Sequence, residues 1–276
     1  MSTSSGPRDA GRTLLVGYGK LGTALAPLLE AEGADAIALR RTDAPLPQGV
    51  QGIVADVSRP LDGRLPRVDS MVVTMPPGEE VDGYRRMLQH LERALPDAPE
   101  RTVFVSSTGV FAGVGPETPI TEDDEPPLTS DRSRALRDGE RAAVEMFGAT
   151  VIRPSGIYGP GRDFLLRTVR EGRAVDRRRW TNRIHEADLV RALHLLLRTP
   201  EPPALLHATD EQPVQLGEVV DFLAARLGVP APPAAPVDEA SGHILDGALL
   251  RRTLGDLEHP TYVSGYTEML AAVDKP

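Results

Sequence analysis

The chain has 276 residues, 40% of them hydrophobic, no cysteine and a formal net charge of −9. That length allows one large domain or a nucleotide-binding core with a smaller lobe, and the missing cysteine excludes disulfides, thiolate-bound zinc and thiol catalysis. The acidic balance excludes a broad attraction to phosphate backbones or anionic lipid, so neither nucleic acid nor a membrane is an expected partner and any polyanion must be met by a local group of arginines.

The opening "MSTSSGPRDAG" lacks the apolar centre of a signal sequence, and no run of about 18 apolar residues follows, so a cytoplasmic protein is expected. From residue 13 onward short apolar runs alternate with amphipathic stretches, the βαβ pattern of a parallel sheet covered on both faces. Strands are expected at Thr13–Val16, Ala36–Leu39, Gly52–Ala55, Ser70–Thr74, Thr102–Val105 and Thr150–Ile152, with one more in "PALLHATD". The first helix is expected in "KLGTALAPLLEAEG", where Leu21, Leu25, Leu28 and Leu29 share a face, Gly33 stops it and Pro27 predicts a kink. Later helices are expected at Glu80–Leu95, Arg132–Phe147, Glu186–Leu197 and Leu216–Leu227. "ETPITEDDEPPLTSD" reads as an acidic surface loop beside the cleft, and "GVPAPPAAPVDEA" as a connector. No internal repeat is present. The sum is an α/β fold: a doubly wound Rossmann sheet over residues 11–160 and 183–212, with a small C-terminal substrate lobe over 161–182 and 213–276.

"LLVGYGKLG" joins the first strand to the first helix through Gly17, Gly19 and Gly22. Gly17 permits the tight turn, Gly19 lets backbone approach a pyrophosphate and Gly22 lets the helix pack on the strand, while the free N–H groups of the helix start face the phosphate. Tyr18, Lys20 and Leu21 complete the loop around that cofactor. At the end of the second strand an NAD site usually offers a carboxylate to the ribose; this chain has Arg40 and Arg41, which suit a 2′-phosphate. NADP is therefore expected over NAD, with Asp43 available to a ribose if the loop folds back.

Four later stretches, "VADV", "VFVSSTGVF", "IRPSGIYGPGR" and "NRIHEADLVRAL", make the chain resemble the extended or atypical short-chain dehydrogenase/reductases of the NAD-dependent epimerase/dehydratase type. The resemblance implies that Asp56, with Val57 beside it, meets the adenine, that Met75 and Pro76 pass along the cofactor, and that Pro154, Ser155, Ile157 and Tyr158 surround the nicotinamide. It implies a homodimer through the second and third helices. The glycine spacing departs from the extended G-x-x-G-x-x-G, because Val16 stands at the first glycine, and points to an atypical subgroup.

The family's usual acid, a Tyr in Tyr-x-x-x-Lys, is missing. Counting back from Glu140, which matches the Glu usually found eight residues after that Tyr, puts Arg132 in place of Tyr and Leu136 in place of Lys; a one-residue slip would offer Ser133 and Arg137. Neither is an ordinary proton donor, since a guanidinium stays charged and a serine needs an external base. What the resemblance retains is the hydroxyl that holds the reacting oxygen, at Ser107, with Ser106 toward the cofactor and Thr108 toward the substrate. Tyr158 and His185 are the other candidates for an acid, although both lie in motifs kept by proteins that have the Tyr-Lys pair.

"EGRAVDRRRWTNRIHE" sets five arginines around Trp180, the single tryptophan. Arginines grip carboxylates or pyrophosphates and Trp stacks on rings, so an anionic small-molecule substrate is expected, with Arg183 and Trp180 touching it; a solvated loop with Trp180 packed on the core weighs equally. The remaining histidines show no ligand spacing, and no metal is expected. The leading expectation is an oxidoreductase or epimerase-like enzyme on a small anionic, nucleotide-linked or carboxylated, carbonyl or alcohol. The alternatives are an NADP-binding sensor without turnover and a non-redox cyclase or dehydratase.

Overall fold

The computed structural model describes residues 9–76, 78, 80–236 and 241–273. The last four residues of the expected connector, 237–240, and the first eight of the chain lie outside these. The chain divides into two compact units: Met1–Val110 with Leu128–Arg153 and Val190–Leu206, and Phe111–Pro127 with Pro154–Leu189 and His207–Pro276.

Six strands arise in the order expected: β1 (Thr13–Val16), β2 (Ala36–Arg40), β3 (Gln51–Val54), β4 (Ser70–Val73), β5 (Arg101–Val105) and β6 (Thr150–Pro154). Two short strands follow, β7 (Gly156–Tyr158) and β8 (Trp180–Thr181), then β9 (Arg183–His185), β10 (Leu205–Ala208) and β11 (Val214–Gln215). The large sheet has the order β10-β6-β5-β4-β1-β2-β3, and the pairs β1/β2, β1/β4, β2/β3, β4/β5 and β5/β6 are all parallel. This is the doubly wound Rossmann arrangement, in which the order reverses beside β1 and a ligand crevice opens at the strands' C-terminal ends. β1 and β4 are wholly buried, as a sheet covered on both faces requires, whereas the edge strand β3 is largely exposed.

The helices are α1 (Lys20–Ala31), α2 (Gly83–Ala94), α3 (Asp131–Phe147), α4 (Phe164–Arg170), α5 (Glu186–Arg198), α6 (Leu216–Leu227), α7 (Ala248–Leu254) and α8 (Tyr262–Val273). α1 runs through Pro27 as one helix; Pro27 is exposed, so water can satisfy the carbonyl that its ring deprives of a partner. α2 starts three residues later than its apolar pattern suggests, at Gly83 behind Asp82. α3 opens with a reciprocal capping box: Ser130 Oγ accepts from the Ser133 N–H and Ser133 Oγ accepts from the Ser130 N–H. The short pieces α4, α7, β7, β8, β9 and β11 carry too few periodic residues to be read from sequence, whereas α8, with Tyr262, Tyr266 and Met269 buried at helical spacing, was readable and is missing from the expected helices.

α2 and α3 pack through Gly139. A Cβ built there would lie 2.6–2.8 Å from the Tyr84 side chain, so the helices can touch only because that carbon is absent. Tyr84 in turn packs edge-on against Phe104 and donates its hydroxyl to the Met75 carbonyl at 2.8 Å. Gly139→Ala is expected to cost about 1–3 kcal/mol by overpacking, read as a lowered urea midpoint. An unchanged midpoint would mean that Tyr84 is free to move aside. In the second unit, Tyr158, Leu166, Val169, Val219, Leu223 and Tyr266 belong to a core of their own.

Candidate functional site

A cavity of about 550 Å³ opens at the C-terminal ends of β1, β2 and β4. Its floor is the glycine turn, Gly17, Tyr18 and Gly19, and one wall is Arg40, Arg41 and Thr42. Asp56, Val57 and Ser58 form a second wall, and Thr74, Met75, Pro76 and Met87 a third. Gly17 has φ +86°, and a Cβ on it would stand 3.1 Å from the Met75 side chain; only glycine makes this turn without strain. Thr74 fixes the turn by donating its hydroxyl to the Gly17 carbonyl at 2.6 Å. Gly19 caps α1 with no side chain over the helix start, which leaves that end open to an anion.

The arginine wall carries an informative atom. Arg40 Nε is buried and has no hydrogen-bond partner among the described residues, while Arg41 is exposed. A guanidinium N–H held from water without an acceptor is costly, and an anionic oxygen in the cavity would satisfy it. Asp56 is tied locally: its Oδ1 accepts from the Ser58 hydroxyl at 2.7 Å and the Ser58 N–H at 3.0 Å, and these bonds hold its carboxyl below the usual range. Thr74, Ser58, Thr42 and Met87 escaped the sequence reading, since none belongs to a spaced motif. Lys20, Leu21 and Gly22 lie on α1 outside the cavity lining, Leu21 and Gly22 in its packed face.

Ser107 is half-buried after β5, and its Oγ accepts from the Gly109 N–H at 3.0 Å, which leaves the hydroxyl proton free of that bond. A Cβ on Gly109 would sit 3.3 Å from Ser107 Oγ and 3.4 Å from the Leu136 side chain, so Leu136 packs against the same turn. The position that aligns with the family's Lys is thus a buried apolar side chain. Ser106 donates its hydroxyl to Glu140 at 2.6 Å. Glu140 is 1% exposed and also receives a two-pronged contact from Arg153, Nε to Oε1 at 2.8 Å and Nη2 to Oε2 at 2.7 Å, with Arg137 Nη1 at 3.2 Å. Burial alone would raise the Glu140 pKa, but Arg153, Ser106 and Arg137 together outweigh it and the carboxyl lies below its ordinary value. These contacts commit the slipped pair: Ser133 is a helix cap and Arg137 a partner of Glu140. Arg132 is exposed on the first turn of α3, and its charge acts on Tyr84.

In the second unit Pro154 ends β6, and Ile157 and Tyr158 lie in β7. Tyr158 is 4% exposed, donates to the Thr261 carbonyl at 3.2 Å, and is pushed well above the usual phenol range by burial. β7 pairs with β9, which sets Tyr158 opposite His185 with the rings 5.1 Å apart and edge-on. His185 Nδ1 accepts from the Ala187 N–H at 3.3 Å, and burial followed by the neighbouring His259 lowers its pKa. Arg183 is buried and bonds Thr181 Oγ1 at 2.8 Å; its charge acts on Asp210, a carboxyl 1% exposed that burial pushes up to about 7. Trp180 is half-buried in β8, paired with Gln215 of β11 and bridged to Gly242. Of its arginine neighbours, Arg177 binds Asp221 and the Pro232 carbonyl, and Arg173 binds Glu171. Asp210 was missed because a buried acid has no sequence signature. His185, His259 and Glu268, distant in sequence, place ligand-type atoms within 4.8 Å of one another, a grouping that spacing conceals.

No family model matches the chain. A solved structure of an NAD-dependent epimerase/dehydratase assignment from Methylobacillus flagellatus is 33% identical, with TM-score 0.83 over 96% of this chain and 100% of the other. Two relatives, dTDP-4-dehydro-6-deoxy-D-allose reductases from a Streptomyces species and from Streptomyces bikiniensis, are 26% and 27% identical, over 87% and 81% of this chain and 89% and 83% of theirs. The structure of MoeE5 in complex with UDP-glucuronic acid and NAD, 21% identical at TM-score 0.76 over 95% and 99% of the two chains, shares the fold. Among the described residues no helix is long and apolar enough to cross a membrane. With the glycine turn, the strand order and a relative one-third identical over its whole length, the chain belongs to the NAD-dependent epimerase/dehydratase family, on the short-chain dehydrogenase/reductase fold.

Proposed function

We propose that the protein is an NADP(H)-dependent oxidoreductase acting on the carbonyl or alcohol of a nucleoside-diphosphate-linked sugar. The observation that carries this reading is the cavity at the glycine turn with Arg40 and Arg41 in its wall and a buried Arg40 Nε lacking an acceptor. A 2′-phosphate supplies an anionic acceptor there, whereas the 2′-hydroxyl of NAD supplies only a neutral one. The substrate class draws support from the two dTDP-sugar reductases and from the arginines near Trp180.

Gly17 and Gly19 admit the pyrophosphate to the open end of α1, Asp56 and Val57 border the adenine, and Met75 and Pro76 line its path. When bound, the nicotinamide supplies or accepts the hydride. Ser107, with its oxygen lone pair held by Gly109, donates a hydrogen bond to the reacting oxygen. Thr108 follows it in the chain, and the roles of Pro154 and Ile157 at the nicotinamide rest on the family resemblance alone. Arg183 and Trp180 are proposed to face the substrate's anionic part. The acid differs from that of the family: Tyr158 is engaged by Thr261, His185 is kept neutral by burial, and Arg132 is a guanidinium. The proton therefore comes from water at Ser107, and turnover is slow relative to enzymes with the Tyr-Lys pair.

NADPH is expected to bind at least tenfold more tightly than NADH, about 1.4 kcal/mol, and Arg40→Ala or Arg41→Ala to remove that preference without weakening NADH. Calorimetry giving equal affinities would remove the role assigned to the arginines. The chemistry is tested by following loss of NADPH absorbance with a dTDP-4-keto-6-deoxyhexose, where consumption of cofactor and substrate in equal amounts is expected. The apolar Leu136 at the family's Lys position favours a second reading, a protein that binds NADPH without turning over; tight binding with no absorbance change across a panel of nucleotide-linked ketosugars would select it.

A further inference from the structure

We propose that His185, His259 and Glu268 form a binding site for one divalent transition-metal cation of the zinc type. One ligand atom from each lies within 4.8 Å of the others. His185 closes β9 and is 2% exposed, His259 precedes α8 and is 9% exposed, and Glu268 stands on α8 with an accessible side chain. The two imidazoles lie 3.8 Å apart at 48°, and His259 Nε2 is 2.9 Å from a Glu268 carboxylate oxygen. His185 Nε2 and His259 Nδ1 are both buried with no hydrogen-bond partner among the described residues. Folds seldom leave two such nitrogens unsatisfied side by side, and an ion accepting a ring lone pair removes the cost.

The cluster is held from behind. Both carboxylate oxygens of the buried Asp188 accept consecutive backbone N–H groups, Glu258 at 2.8 Å and His259 at 2.9 Å, which fixes where the His259 ring starts. Tyr158 packs edge-on against His185. Such outer contacts are what orient imidazole ligands in metal sites. Two nitrogens and one carboxylate suit zinc, cobalt or nickel; calcium and magnesium prefer oxygen throughout. Two contacts oppose the ion: ligation through His185 Nε2 moves the ring proton to Nδ1 and breaks the bond from the Ala187 N–H, which at 3.3 Å is a long one, and ligation through His259 Nε2 displaces its 2.9 Å contact with Glu268. The site is therefore expected to load at free zinc on the order of micromolar, weaker than dedicated structural zinc sites. A bound ion would fasten α8 to the end of β9.

The test uses the full chain, stripped with a chelator and titrated with zinc chloride by calorimetry, with cobalt chloride as a spectroscopic probe and magnesium chloride as control. The expected result is one zinc per chain, a raised melting temperature, a cobalt spectrum of low coordination number and no response to magnesium, with binding weakened at least tenfold in Glu268→Gln and in His259→Gln. Should His259→Gln fail to fold, Glu268→Gln, at an accessible position, decides alone. Absence of zinc binding by the wild type, or unchanged affinity in Glu268→Gln, overturns the site. None of these readouts uses substrate or NADPH, so the site can fail while the nucleotide-sugar reading stands, and the reverse.

Discussion

Replacing Arg153 with leucine is expected to destabilise the protein by about 3–5 kcal/mol, the usual cost of stranding one member of a buried ion pair. Glu140 is 1% exposed and would keep its charge with only Ser106 and Arg137 to answer it. Glu140→Leu should cost a similar amount for the opposite reason, since Arg153 is itself 1% exposed. The double variant, Glu140→Leu with Arg153→Leu, should recover much of the loss because neither charge then remains buried alone. Urea denaturation of the three variants is the measurement; simple addition of the single losses in the double variant would show that the pair is not coupled. The network ties α3 to the ends of β5 and β6, beside Ser107 and Pro154. The single variants should therefore also loosen the Ser107 turn.

The pH dependence of that pair has a definite sign. Against burial, the largest influence, the Glu140 carboxyl is held below its ordinary 4.5 by Arg153 together with Ser106 and Arg137. Its contribution is therefore present above pH 4.5 and is lost as pH falls toward the depressed folded value. Acid sensitivity should diminish in the double leucine variant.

The nucleotide half of the molecule was legible because its determinants are local. The glycine turn, the apolar runs of β1, β2 and β4 and the arginines at the end of β2 each lie within a few residues of sequence, and their periods translate directly into strand, turn and helix. Gly17, Arg40, Asp56 and Met75 line one cavity. The rest depends on partners far along the chain. Ser106 resembles a cofactor residue in sequence, yet its hydroxyl goes to Glu140 on another element. Ser133, the slipped stand-in for the family's Tyr, is instead the third residue of a local capping box with Ser130. Burial is equally invisible in one dimension: Asp210 stands in an ordinary polar "TDEQ", and only the fold withdraws it from water.

That withdrawal gives the second large effect, opposite in sign to that of Glu140. Burial pushes the Asp210 carboxyl from 3.8 up to about 7, with Arg183 too weak an influence to reverse it. Its Oδ1 accepts from the Gln212 N–H at 3.2 Å, while Oδ2 has no partner among the described residues. Because the folded state holds this proton more tightly than the unfolded chain, the associated stability is complete below pH 3.8 and declines as pH rises through 7. Between pH 5 and 8 the wild type should lose about 2–3 kcal/mol more than Asp210→Asn, since each pH unit across the gap is worth about 1.4 kcal/mol. Asparagine retains the acceptor for Gln212 and cannot ionise, and the comparison of slopes cancels every other group that titrates in that range. Denaturant midpoints at the two pH values measure it. Parallel pH slopes for the two proteins would mean that Asp210 is already ionised at pH 5, stabilised by Arg183 and water more strongly than its burial opposes.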